Sequence, residues 1–152
     1  MDLAELIIGR TFDCTVLITA KMVEDFACAT GDRNPIHFDH EAAREAGFPA
    51  RIAHGDLVIP LVNGLLVGEF PGIILLERSV VFKRPVVVGS RVSIMATLTE
   101  HSSSERGDKT HTSLQFEVLY LSETGKACFV SKVKLLRITQ RTASGTPDAE
   151  NA

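Results

Sequence analysis

The chain has 152 residues, of which 45% are hydrophobic, 23% charged and 6% aromatic, with a formal net charge of -3. That length suits one domain with a real core, and the slight acidic balance disfavours nucleic acid or an anionic membrane surface as partner. Cys14, Cys28 and Cys128 are odd in number and lack paired metal-type spacing, so reduced thiols in a cytoplasmic compartment are expected, and no disulfide framework.

The N-terminal MDLAELIIGR carries acids where a secretory leader has bases, and its apolar run is too short to span a bilayer. From Arg10 to Ile18 the residues alternate, Phe12, Cys14, Val16 and Ile18 against Thr11, Asp13 and Thr15, which is the period of a half-buried strand. Thr19 then suits the cap of a helix with an apolar stripe of Met22, Val23, Phe26 and Ala27, and Gly31 suits its left-handed stop. That helix delivers Asp32 at its end. Pro35 forbids a regular helix between Asp32 and His37, since it lacks a backbone donor and pushes Asn34 towards extended geometry. Asp39 caps a short helix, HEAAREAG, closed by Gly47.

Phe48 to His54 is irregular, and Gly55 opens DLVIPLVNGLLVG, which is apolar almost all round and reads as a buried helix. Pro60 is tolerated only in a first helical turn, so a helix starting before Asp56 should be kinked. Strands follow over Ile73 to Arg84, Arg91 to His101, Thr112 to Tyr120 and Ala127 to Ile138, joined by turns or loops at Pro85 to Ser90, Ser102 to Lys109 and Gly125. The order of strand, helices and four strands gives an α+β domain over residues 1–139, a curved antiparallel sheet wrapped around one central hydrophobic helix. The small, polar tail, residues 140–152, reads as disordered.

The chemistry is concentrated between Phe26 and Leu66, where Asp32, Asn34, His37, Asp39, His40 and His54 fall among apolar segments that need burial. Taken alone, Asp32 to Pro35 also fits an ordinary Asx turn, Asp39 a plain helix cap and Cys28 a small core residue. A metal site from Asp32, His37, His40 and His54 is disfavoured, because no two have a ligand spacing on a predicted helix.

Residues Gly31-Asp32-Arg33-Asn34-Pro35-Ile36-His37-Phe38-Asp39, then Ala43 with Gly47-Phe48, then Ile52-Ala53-His54-Gly55, and later Phe82-Lys83-Arg84-Pro85-Val86 with Gly89, together resemble the signature of the MaoC-like, R-specific enoyl-CoA hydratase family. The resemblance covers nearly the whole chain to about residue 138. It implies a hot dog fold, usually dimeric, acting without metal or redox cofactor on a 2-enoyl thioester of coenzyme A or acyl-carrier protein. It also implies Asp32 and His37 as the catalytic pair, Asn34 as their orienting neighbour and the Gly55 amide as donor to the thioester oxygen. Asp39 and His54 are then supporting groups, and Asn63, Asp56, Lys83 and Arg84 are candidate substrate contacts. Asp56 departs from the family's usual apolar residue. A hot dog thioesterase using Asp56 as base or nucleophile, and a non-catalytic acyl-CoA-binding protein, are the alternative readings.

Overall fold

The computed structural model describes residues 6–140; the predicted tail from residue 141 onward lies outside them. β1 (Thr11–Leu17) opens the chain and pairs through seven residues with β3 (Arg91–Arg106), burying Phe12 and exposing Thr11, Asp13 and Thr15. α1 (Ala20–Thr30) starts where Thr19 accepts from the Met22 amide and stops at Gly31, whose φ of 79° only glycine adopts cheaply. A 3-10 turn (Pro35–His37) and α2 (His40–Glu45) follow.

The central helix is in two pieces, α3 (Gly55–Val58) and α4 (Leu61–Glu69), broken at Pro60 as the proline requires. Asn63 donates its amide to the Pro60 carbonyl instead of the Ile59 carbonyl. The Ile59 carbonyl so released is capped by the buried Tyr120 hydroxyl at 2.5 Å. Val58, Ile59, Val62 and Leu66 are buried, whereas Pro60, Gly64 and Val67 are exposed. The near-continuous apolar run therefore overstated the burial: one flank of this helix is uncovered in the single chain.

β2 (Ile73–Phe82), β3, β4 (Lys109–Ser122) and β5 (Ala127–Gln140) complete one five-stranded antiparallel sheet in the order β1-β3-β4-β5-β2. The inner face carries Val92, Ile94, Ala96, Leu98, Leu114, Phe116, Val118 and Tyr120 against the helix. The predicted loop from Ser102 to Lys109 is instead paired strand: the β3–β4 ladder continues to Arg106 and Lys109, and only Gly107 and Asp108 turn. Polar residues such as Ser102, Ser103 and Ser104 read as loop in sequence, yet cross-strand bonding holds them extended, with Ser103 and Thr112 hydroxyls 2.9 Å apart.

Candidate active site

Three backbone devices build the site. The Phe48 to His54 segment is pinned to the 85–88 turn by Ala53 N–H to Val86 O (2.8 Å), Val88 N–H to Arg51 O (2.9 Å) and an isolated bridge between Ile52 and Val87. The 3-10 turn is fixed by Asn34, whose side-chain oxygen accepts from the Ile36 amide. Asp32 lies just beyond the end of α1, its side chain accepting from the Asn34 amide at 3.2 Å. The Asx turn and the functional reading are thus compatible, because the turn itself aims the carboxylate.

His37 is 7% exposed and donates Nδ1–H to the Ile52 carbonyl at 2.7 Å. A carbonyl can only accept, so in the neutral ring Nε2 is a bare acceptor. His54, 3% exposed, lies against it with ring centroids 3.7 Å apart, and donates Nε2–H to the Asp32 carbonyl at 3.0 Å. His54 Nδ1 is buried with no partner. Its ring is also flanked by Phe26, at 4.9 Å between centroids. One ligating atom from each of Asp32, His37 and His54 lies within 4.8 Å of the others. The chain therefore does bring three metal-competent groups together, against the expectation from sequence spacing; His40, exposed at the start of α2, is not among them.

His37 and Gly55 line one cleft of about 320 Å³ with Phe48, Phe82, Lys83 and Arg84. Among the described residues no backbone acceptor takes the Gly55 N–H, which heads α3. A Cβ on residue 55 would come within 2.3 Å of the Phe82 ring, so glycine is what lets that strand close over the amide. Lys83 and Arg84 are exposed at the cleft, Arg84 donating Nη1–H to the Ala127 carbonyl at 2.9 Å.

The remaining sequence candidates lie outside this cluster. Asp39 caps α2, its carboxyl held below the usual range by the Ala42 and Glu41 amides. Asp56 is exposed and does not line the cleft. Cys28 is exposed on α1 instead of packed in the core, and all three cysteines are free. Asn63 is half-buried and accepts from Arg78 of β2. Arg78 escaped the sequence reading entirely.

An antiparallel sheet curled on a broken central helix is the architecture of a hot dog protein, and here it sets an imidazole and a carboxylate at the head of that helix. The chain belongs to the MaoC-like domain family, whose model matches residues 5–118. It is 35% identical over 101 residues to the (R)-specific enoyl-CoA hydratase of Aeromonas caviae, a match covering 65% of this chain and 75% of that protein. A mitochondrial 3-hydroxyacyl-[acyl-carrier-protein] dehydratase of Arabidopsis thaliana is 33% identical over 85 residues, 56% of this chain and 51% of that protein, so this match spans about half of the plant relative. The solved (R)-hydratase of A. caviae, involved in PHA biosynthesis, superposes with a TM-score of 0.72 at 29% identity, covering 86% of this chain and 96% of that one. No helix among the described residues is long and apolar enough to cross a membrane.

Proposed function

We propose that the protein is a hydro-lyase interconverting a trans-2-enoyl thioester and its (R)-3-hydroxyacyl counterpart, with coenzyme A or acyl-carrier protein as part of the substrate and no resident metal or redox cofactor. One observation carries this reading: His37, with Nδ1–H committed to Ile52 and Nε2 left as acceptor, belongs to one side-chain cluster with Asp32 and lines a cleft with the free Gly55 amide.

In this reading Asp32 and His37 hold one water between them. His37 Nε2 takes a proton as the water oxygen attacks C3. The C2–C3 electron pair moves through the carbonyl to give an enolate oxygen, which the Gly55 N–H stabilises; a donor of this kind lowers the barrier by roughly 3 kcal/mol. The proton returns from the Asp32–His37 pair to C2, so water is added and nothing else is consumed. His54 keeps Asp32 in place through the Asp32 carbonyl and packs against the His37 ring. Lys83 and Arg84 meet the phosphates of the carrier at the mouth of the cleft. The three free thiols suit a reducing compartment such as the cytoplasm.

Replacing Asp32 by Asn and His37 by Asn, one at a time, should each lower turnover of crotonyl-CoA by about 10²–10⁴-fold while the melting curve is retained. The wild type should consume the enoyl absorbance without releasing thiol. Near-normal turnover in either variant would remove the mechanism. Thiol release would favour the thioesterase alternative, which the exposure of Asp56 away from the cleft does not support. Binding without turnover would leave an acyl-thioester-binding protein.

A further inference from the structure

Arg78 sits on the inner face of β2, where its neighbours on the same side are Val80 and Phe82 and its cross-strand partner is the buried Val133. A half-buried cation normally has a carboxylate beside it. Among the described residues Arg78 has none: it donates through Nη2 to the side-chain oxygen of Asn63, and its Nε is buried with no acceptor. Arg78 already takes one lone pair of the Asn63 side-chain oxygen, so the groups the two residues chiefly still offer are the Asn63 amide nitrogen and the other guanidinium N–H groups. All of these are donors, and they surround a net positive charge.

The position of this pair gives it a meaning. Phe82 closes over Gly55, and from there strand and helix run side by side. Gly55 to Asn63 is about 12 Å along α3 and α4, and Phe82 to Arg78 is about 13 Å along β2. Gly64 has no heavy atom within 4 Å of where a Cβ would stand, so the flank beside Asn63 is open. The cleft at Gly55 ends at Phe82; an acyl chain whose thioester oxygen rests on the Gly55 amide and which continues past Phe82 along the seam of helix and strand would end at Asn63 and Arg78.

We infer that Asn63 and Arg78 form a subsite for an anionic oxygen, a carboxylate above all, at the far end of the acyl group. The preferred substrates are then enoyl thioesters with a carboxylated tail instead of plain alkyl ones. This deepens the hydratase reading and rests on it for the direction of the acyl chain.

The test uses pairs of trans-2-enoyl-CoA substrates of about six to ten carbons, a range that brackets the groove, each pair differing only in a terminal methyl or carboxylate. For at least one length the carboxylated member should exceed its twin by about tenfold or more in kcat/KM, as expected for hydrogen bonds to a charged group. The ratio should collapse towards unity in both Arg78→Gln and Arg78→Leu, with folding checked by circular dichroism. Preference for the alkyl twin at every length, or a ratio that survives both substitutions, overturns the subsite. If a variant fails to fold, the wild-type ratio still decides. Calorimetry with the saturated, unreactive twins separates this inference from the reaction. Tighter binding of the carboxylated twin that Arg78→Gln abolishes, with no hydration of any enoyl substrate, would sustain the subsite and sink the hydratase reading. Equal binding of the twins would sink the subsite whatever the turnover.

Discussion

The positions that matter divide by whether their surroundings are local in sequence. Asp32, Asn34 and His37 lie within six residues, and the proline between them dictates the bend, so their convergence was legible. His54 was named only as a support, and its stacking on His37 depends on Ile52 being pinned to the distant 85–88 turn. Arg78 was illegible. In sequence it stands beside Glu77 in a mostly apolar strand, and a register shift between Leu75 and Glu77 hides which face it shares. Its pairing opposite Val133 turns it inward, and its bond to Asn63 holds it there. Asp39 shows a residue whose role the local sequence fully determines. The Glu41 and Ala42 amides hold its carboxyl below the usual range in the folded chain. Its contribution is therefore complete above the unfolded pKa and disappears as pH falls through the lower folded value. Asp39→Ala should lower Tm by about 2–4 °C at pH 7, and the gap to wild type should close below about pH 4. Melting curves across that range check it; a gap that persists at pH 2 would contradict the cap.

At the scale of elements, the break at Pro60 governs the centre of the fold. The proline was legible as a disturbance, but what repairs it was not, since Tyr120 lies 61 residues away. The phenol is fully buried, and that burial pushes its pKa well up, with the charge of Arg78 opposing. It therefore stays protonated and donating to Ile59 at any ordinary pH. Tyr120→Phe keeps the ring and leaves a buried carbonyl without its donor, which costs about 1–3 kcal/mol. Urea denaturation should register that loss, and a variant within about 0.5 kcal/mol of wild type would mean another donor reaches Ile59. The strand ends were misread for a related reason. Hydroxyl-rich residues such as Ser102 to Ser104 favour loops locally, and a cross-strand partner is needed to keep them extended.

For the molecule as a whole, the exposed flank of α4 and the outer edge of β2 are adjacent. β2 has one neighbour, β5, and leaves Ile74, Leu76, Val81 and Phe82 half or more exposed. A bare apolar edge of this kind invites strand pairing with another chain. We therefore expect a homodimer joined through β2, sedimenting at twice the chain mass at micromolar concentration. A Leu76→Lys, Val81→Lys double variant should sediment as a monomer. Wild-type sedimentation as a monomer would refute the assembly. The succession of strands along the chain and their antiparallel sheet were legible from alternation and turn residues, whereas the uncovered side of the helix was not, because an all-apolar segment does not say which of its sides the sheet will cover. The divided helix also separates two kinds of evolutionary change. Its first segment packs under Phe82 and carries the Gly55 amide, while its second lies beside β2 and carries Asn63, which meets Arg78. If the proposed reaction and tail subsite hold, a change in the second segment alone would exchange one tail preference for another and leave the first segment as it is.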